Sequence, residues 1–373
     1  MEGNVQRLIN ISSWFVAFVR AAILDTPVQE LIPDELDWDA LYALSKRQKM
    51  AALTWKGICI SNCKVPSDLR EQWELQAQYA VSREVRFDYE YDLIVQEFNR
   101  AEIPYVPLKG KMIRSFWPGK GLREFSDIDI LVHGEDQKRA GEIMLNLGYT
   151  ADHLGGMHDV YKKAPIYNVE LHERLFESFI EFGHQFDNVW ERVVPSQDGT
   201  SAYQMTPVDF YLHFLLHFLK HCLNSGAGLR FFVDLFLIRK SSFLNNEILN
   251  SVHSIIKELN LWDDLCMIYQ ITDDLFVNNC PISQRYCEYI FAGGTYGGTD
   301  WRVHNGIVKE GKFKYIVKRI FMPYSFMCKK YRILKYLPFL LPFAWIYRWI
   351  HHLFSGNHRK NIASEIRGVR KSN

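Results

Sequence analysis

The segment SDIDILV at residues 126–132 constrains the fold most strongly, because its acidic and hydrophobic residues alternate strictly. This period of two predicts a β-strand, in which successive side chains point to opposite faces. Asp127 and Asp129 then share one face, whereas Ile128 and Ile130 share the other. The sequence therefore predicts a strand with one face for packing and one anionic face.

Two carboxylates held side by side repel each other unless a cation lies between them. A hard divalent ion such as Mg²⁺ binds through one or two carboxylates together with phosphate oxygens. Glu170 alternates with Val169 and Leu171 in the same way, so a neighbouring strand can place a third acid beside the pair. Three acids on two strands predict metal-assisted phosphoryl chemistry. For the aspartate pair alone, a solvated edge strand is the simpler alternative.

The same repulsion leads to a prediction about stability. Asp129→Asn would relieve it in the metal-free protein, so the melting temperature is expected to hold or rise while activity disappears.

Three cations accompany the acids. In the turn Lys109-Gly110-Lys111, glycine lets the backbone approach a phosphate and the lysines supply point charges for triphosphate oxygens. Arg123, four residues before Asp127, predicts either a phosphate contact or an ion pair with an active-site acid. The alternatives are a solvated surface turn for the lysines and a structural Arg–Asp bridge for Arg123.

The hydrophobic pattern divides the chain into three parts. Residues 1–102 have apolar residues at helical spacing, which predicts an N-terminal helical lobe. Short apolar runs broken by glycine and proline predict strands within residues 103–195, the expected catalytic core. Helical spacing returns at Thr206, so residues 196–373 are expected to form a C-terminal helical lobe with a basic aromatic end. This order predicts an α+β fold.

Together these residues resemble the uncharacterised nucleotidyltransferase family of the polymerase-beta superfamily. That family carries a Leu-Lys-Gly turn, an arginine, an Asp-x-Asp strand and a later Glu-Leu-His, which correspond here to residues 108–110, Arg123, 127–129 and 170–172. An N-terminal helical lobe, a histidine-rich helix and a basic C-terminal region extend the resemblance over most of the chain.

The resemblance implies a small mixed β-sheet core with helices packed on it, Mg²⁺ or Mn²⁺ at the acids, and a nucleoside triphosphate such as ATP as donor. The catalytic and metal-binding residues that it implies are Asp127, Asp129 and Glu170. The nucleotide-binding residues that it implies are Lys109, Gly110, Lys111, Arg123 and Ser126. The wider superfamily has Gly-Ser where this chain has Lys109-Gly110, so the serine that holds a donor phosphate is absent.

Two functions follow from this resemblance. The first is an enzyme that transfers a nucleoside monophosphate to an unknown acceptor. The alternative is a catalytically inactive nucleotide-binding or membrane-peripheral scaffold. Retention of three mutually repelling acids favours the enzyme.

The charge of the chain is distributed unevenly. Residues 301–373 contain 16 Lys and Arg against 2 Asp and Glu, whereas residues 1–300 contain 28 against 41. The basic end predicts a surface for a polyanion or an anionic membrane, unless it only balances the acidic remainder. Its longest apolar stretch, residues 336–347, is too short to span a bilayer, which leaves an interfacial helix as an alternative.

Two further sequence features concern the localisation of the protein and a row of histidines. The first ten residues lack the pattern of a secretory signal, which predicts a cytoplasmic protein without a transmembrane segment. His213, His217 and His221 recur every four residues and so lie along one side of a helix. Neither a cysteine nor an acid of this helix completes a metal site with the three histidines. Packing and hydrogen bonding are therefore favoured over metal binding.

Overall fold

The structure is a computed structural model that describes residues 2–165, 167–177, 180–197, 199–291, 294–295, 302–303, 305–307 and 311–354. Its helices and five-stranded mixed sheet confirm the predicted α+β class. The chain forms two compact units: residues 1–219 with 229–287, and residues 220–228 with the described part of 288–373. The three lobes divided at residues 102 and 195 stay a prediction.

Four helices precede the sheet: α1 (Glu2–Leu24), α2 (Trp38–Arg47), α3 (Ala51–Ile60) and α4 (Ser67–Arg100). The side chain of Asp37 caps α2 by accepting a hydrogen bond from the Ala40 N–H at 3.0 Å. Helices α1 and α3 cross so closely that a Cβ on Gly57 would lie 1.9 Å from the Phe18 carbonyl oxygen. Only glycine fits at this crossing.

Helix α1 contains a stretch, Val5–Leu24, that is long and apolar enough to cross a membrane. Half of this stretch is buried inside the protein. A buried core helix and a signal sequence both satisfy the same test of length and composition. The close packing of α1 on α3 is that of a core helix.

The sheet is formed by β1 (Tyr105–Pro107), β2 (Ile128–Val132), β3 (Thr150–His153), β4 (His158–Lys163) and β5 (Tyr167–His172). Its order is β1-β2-β5-β4-β3, with β2 and β5 parallel and every other pair antiparallel. Helix α5 (Gly110–Arg114) follows β1, and a 3-10 turn (Gly134–Asp136) leads from β2 into α6 (Gln137–Asn146). The predicted alternating strand is therefore confirmed as β2.

One face of the sheet packs against helices α4 and α6. Ile128 and Ile130 of β2 and Val169 of β5 are buried in one core. Phe98 of α4 and Met144 of α6 belong to the same core. Because side chains alternate along a strand, Asp129 and Glu170 point to the opposite face. Hydrophobic packing thus fixes where the acids lie.

The chain then passes through two 3-10 turns (Glu181–Phe186 and Val189–Glu191) and a two-stranded ribbon, β6 (Val194–Pro195) with β7 (Tyr203–Gln204). Four helices follow: α7 (Pro207–Asn224), α8 (Leu229–Lys240), α9 (Asn246–Glu258) and α10 (Trp262–Phe276). His213 of α7 is buried against the rings of Phe176 and Phe186, with centroids 5.5 Å apart in each pair. This contact agrees with the packing interpretation of the histidine row.

The second unit contains helices Lys312–Ile320, Tyr324–Lys330 and Leu341–Phe354, with 3-10 turns at Arg332–Lys335 and Pro338–Leu340. Its described part has a small core of buried Met327, Cys328 and Leu334. Residues 301, 304, 308–310 and 355–373 of the basic C-terminal region lie outside the described residues.

Candidate active site

The structure brings the three predicted acids together on the polar face of the sheet. Asp129 of β2 lies directly opposite Glu170 of β5 in the parallel register. Neighbouring strands are about 4.8 Å apart, so these two carboxylates are adjacent. Asp127 immediately precedes β2, and its charge interacts with those of both other acids. The placement of Glu170 beside the aspartate pair agrees with the prediction.

Two histidines join the acids. His172 Nε2 donates a hydrogen bond to Asp129 Oδ1 at 2.9 Å and lies 3.5 Å from Glu170 Oε2. His158 Nε2 lies 3.7 Å from the same Glu170 oxygen. One potential ligand atom from each of His158, Glu170 and His172 lies within 4.8 Å of the others. The polar face thus offers nitrogen as well as oxygen ligands.

The sequence motif Glu-Leu-His includes His172, whereas His158 was missed. The structure shows that β4 pairs His158 with His172 directly across the antiparallel register. Residues facing each other across strands lie on the same side of the sheet. The sequence does not give the register of β4 against β5, and this register is needed to place His158 beside His172.

Protonation is divided unequally over the cluster. Burial, reinforced by the charges of Asp129 and Glu170, raises the pKa of Asp127 to about 6. Burial opposes charge on Asp129 as well, but Lys109 and the His172 hydrogen bond outweigh it and lower the Asp129 pKa. Burial would lower the pKa of His172, yet its bonds to Asp129 and Glu170 raise it. Asp129 is therefore favoured as a carboxylate beside His172, whereas burial and the neighbouring acids disfavour the charge of Asp127.

This asymmetry corrects the stability prediction made for Asp129→Asn. Asp129 is stabilised as a carboxylate by a buried histidine, so its replacement removes a favourable partner instead of relieving repulsion. The relief expected from removing a charge belongs to Asp127.

Asp127→Asn is expected to stabilise the metal-free protein by about 1–2 kcal/mol at pH 8. A carboxyl whose pKa is higher in the folded than in the unfolded protein destabilises the fold above its folded-state pKa. Below its unfolded-state pKa it has no such effect. The gain should therefore be present above pH 6 and vanish near pH 4. Melting temperatures at pH 8, 6 and 4, with Asp34→Asn at an exposed position as control, measure it. A gain that does not change with pH would contradict this origin.

Lys109 lies at the turn between β1 and α5 with a positive φ of 28°. The neighbouring Leu108 N–H donates to the Asp129 carbonyl oxygen at 3.0 Å, which fixes the turn against β2. The charge of Lys109 lowers the pKa values of both Asp127 and Asp129. A Cβ on Gly110 would meet only Arg123 Nη1, at 3.9 Å. Packing therefore does not require glycine here, and its small size leaves space beside the acids.

Lys111 points toward α4. Its Nζ lies 3.7 Å from the centroid of the Tyr91 ring and 3.6 Å from Asp92 Oδ1. Lys111 and Gly110 nevertheless line an open cleft together with Asp127 and Asp129. The turn therefore borders the acids, with Lys109 facing them and Lys111 at the side of the cleft.

Arg123 forms a structural bridge. Its Nε and Nη2 donate to the two carboxylate oxygens of Asp234, each at 2.8 Å. Trp117 Nε1 donates to Asp234 Oδ1 at 2.8 Å as well, and both members of the ion pair are buried. Of the alternatives that the sequence left open, the Arg–Asp bridge is formed. The triphosphate contact of Arg123 stays a prediction, and Nη1 is the nitrogen nearest Gly110.

The site also contains Lys49, which sequence reasoning missed. Its Nζ donates to Ser126 Oγ at 3.2 Å. Burial and the charge of Arg230 lower the pKa of Lys49, against the opposing effect of Asp127. The neighbouring Ala51 N–H donates to Glu124 at 3.1 Å, which ties the start of α3 to the loop before β2. Nothing in the local pattern around Lys49 indicates this contact.

Comparison with known families bears on this arrangement. A family described as an uncharacterised nucleotidyltransferase matches residues 34–276. The chain belongs to this family. The match runs from just before α2 to the end of α10 and includes every residue of the site. No curated protein and no solved structure matches the chain. Membership in the family makes the protein a nucleotidyltransferase at the family level.

Proposed function

We propose that the protein is a metal-dependent enzyme that transfers a nucleoside monophosphate from a nucleoside triphosphate to an acceptor in the cytoplasm. The observation that carries the proposal is the convergence of Asp127, Asp129 and Glu170 on one sheet face. Burial, together with the charges of Asp129 and Glu170, raises the pKa of Asp127, so the metal-free cluster holds an unfavourable charge. A bound cation would remove this penalty.

The residues fit a divalent ion in their chemistry. Carboxylate oxygens suit Mg²⁺ and Mn²⁺. His158 lies within reach of Glu170 as a further nitrogen ligand, whereas His172 Nε2 could bind the ion only after it loses the proton that it donates to Asp129. Asp127, Asp129 and Glu170 would hold the ion. When bound, it would supply positive charge to the phosphate oxygens as charge develops in the transition state.

The proposed reaction is an in-line displacement at the α-phosphorus of the donor. An acceptor oxygen forms a bond to this phosphorus, and the bond to the bridging oxygen of the β-phosphate breaks. Pyrophosphate leaves with the bonding electrons, while the acceptor proton passes to a Glu170 carboxylate oxygen. Glu170 is suited to this role because its side chain is 22% exposed, compared with 9% for Asp129.

The cations around the cleft are suited to the triphosphate. Lys109 lies close enough to Asp127 and Asp129 for its charge to lower their pKa values, Gly110 leaves room for close approach, and Lys49 donates to Ser126, the residue before Asp127. A lysine ammonium binds phosphate as a point charge. The backbone and lysines of this turn replace the serine that other superfamily members use.

Lys109→Ala is expected to raise the dissociation constant for a non-hydrolysable ATP analogue with Mg²⁺ about tenfold or more. The reason is the loss of one charge-assisted contact, which contributes roughly 1.5–3 kcal/mol. Calorimetric titration provides the measurement, and Lys138→Ala, at an exposed position of α6, is the matched control. Unchanged affinity in Lys109→Ala would remove this residue from the nucleotide site.

The proposed function is tested by incubating the full chain with each α-labelled nucleoside triphosphate and Mg²⁺ or Mn²⁺. The expected result is metal-dependent release of pyrophosphate and transfer of label to an acceptor from pooled small molecules, RNA and protein. Nucleotide binding without pyrophosphate release under all of these conditions would favour the inactive scaffold instead.

A further inference from the structure

The segment 312–354 of the second unit is held together by contacts of its own. Trp345 Nε1 donates to the Met322 carbonyl at 2.9 Å, and Trp349 Nε1 donates to the Ile320 carbonyl at 3.0 Å. Both bonds lie on one side of the helix Leu341–Phe354 and fix it against the preceding chain. The side of this helix that carries Trp345 and Trp349 therefore contacts the protein, and the opposite side faces away from these contacts.

That opposite side is apolar. Phe343, Ile346, Tyr347 and Ile350 are 67%, 47%, 59% and 50% exposed. Their spacing of three, four and seven residues places them in one stripe. Just before the helix, Tyr336 and Phe339 are 82% and 69% exposed. The face of a soluble helix that points to water is normally polar, so this stripe is suited to a non-aqueous partner.

The charge around the stripe has one sign. Residues 312–354 contain nine Lys and Arg and no Asp or Glu. The helix Lys312–Ile320 adds exposed Lys314 next to Phe313, which is 83% exposed. Lys335 is exposed beside Tyr336. We use the name apolar basic face for the exposed apolar and basic residues of the segment 312–354 taken as a set, namely Phe313, Lys314, Lys335, Tyr336, Phe339, Phe343, Ile346, Tyr347 and Ile350. The stripe on the helix Leu341–Phe354 is the part of this set that shares one helix side.

We infer that the apolar basic face binds the surface of a bilayer that contains anionic lipids. Aromatic and aliphatic side chains enter the boundary between headgroups and acyl chains, while lysines contact anionic headgroups. RNA would satisfy the charge but not Ile346 and Ile350, because single-stranded nucleic acid binds by stacking on rings. The helix Leu341–Phe354 has 14 residues, or about 21 Å, so it lies on the bilayer and does not span it.

This inference goes beyond nucleotide transfer and does not depend on it. The full chain is sedimented with large unilamellar vesicles of two compositions. One contains phosphatidylcholine alone, and the other contains phosphatidylcholine with about 30 mol% phosphatidylglycerol, which gives a negative surface potential. We expect binding to the anionic vesicles at low salt and at least tenfold weaker binding to neutral vesicles. Raising the salt to roughly 0.5 M should weaken the anionic binding, because screening shortens the range of the attraction.

Two double variants, each with a matched control, separate the contribution of charge to vesicle binding from that of apolar contact. Phe343→Ser with Ile350→Ser should weaken vesicle binding about tenfold or more, whereas the control Leu31→Ser with Leu75→Ser, also at exposed positions, should not. Lys314→Glu with Lys335→Glu should weaken it about tenfold or more, compared with the control Lys64→Glu with Lys138→Glu. All of these positions are exposed, so folding is preserved.

Three results would overturn the inference. They are absence of sedimentation with anionic vesicles at low salt, wild-type binding by Phe343→Ser with Ile350→Ser, and retention on single-stranded RNA without vesicle binding. Activity with soluble acceptors is measured in parallel, so that loss of membrane binding and loss of nucleotide transfer are distinguished.

Discussion

Asp129→Asn is expected to lower nucleotide transfer by about 10³-fold or more, because metal-bound carboxylates contribute several kcal/mol to transition-state stabilisation. Asp129 is the central acid of the site. It lies opposite Glu170 in the β2–β5 register and accepts the hydrogen bond from His172. Asparagine keeps the shape of the side chain but removes the charge that pairs with His172 and, in the proposed function, with the cation.

The measurement is the initial rate of pyrophosphate release at saturating nucleotide and Mg²⁺. Asp34→Asn, the same substitution at an exposed loop position, should retain wild-type activity. Circular dichroism at the assay temperature checks that Asp129→Asn is folded, since the loss of the His172 partner is expected to destabilise it by about 1–3 kcal/mol. A folded variant that retains more than a tenth of the activity would exclude Asp129 from the catalytic centre.

The second large effect concerns stability. Asp234→Ala is expected to reduce the free energy of unfolding by about 3–5 kcal/mol, because it leaves Arg123 charged and buried without its partner. It also removes the acceptor of the Trp117 indole. The same substitution in a pair of exposed groups has little effect: Glu74→Ala, which breaks the Arg70–Glu74 pair, should change stability by less than about 1 kcal/mol.

Urea denaturation of both variants and the wild type provides the comparison. Asp234→Asn adds a test of charge, since it retains the volume of the side chain and one acceptor oxygen. Its free energy of unfolding should lie between those of the wild type and Asp234→Ala. If Asp234→Ala is no less stable than Glu74→Ala, then the buried bridge does not support the loop that leads into β2.

The parts of the site that were predicted from sequence arise from local alternation. The period of two around Asp127 and Asp129, and again around Glu170, determines which side chains share a face, and the packed core determines which face is buried. The parts that sequence reasoning missed or left open depend on distant segments. Lys49 reaches Ser126 across 77 residues, and Arg123 reaches Asp234 across 111.

The choice between the two interpretations of Arg123 illustrates the difference. Its position four residues before Asp127 is consistent with a phosphate contact, and no feature of the surrounding segment identifies Asp234 as its partner. Only the position of α8 beside the loop decides the matter. His158 was missed for the same reason, because its role depends on the pairing of β4 with β5.

The parallel pairing of β2 with β5 makes the acidic cluster, the proposed catalytic site, depend on the alignment of two strands. A slip of one residue in β5 would exchange the positions of Glu170 and His172 with those of Val169 and Leu171. Glu170 and His172 would then enter the hydrophobic core, and Val169 and Leu171 would face the cleft. Misaligned molecules would consequently lose the site and the core together, so a mispaired chain is both inactive and unstable.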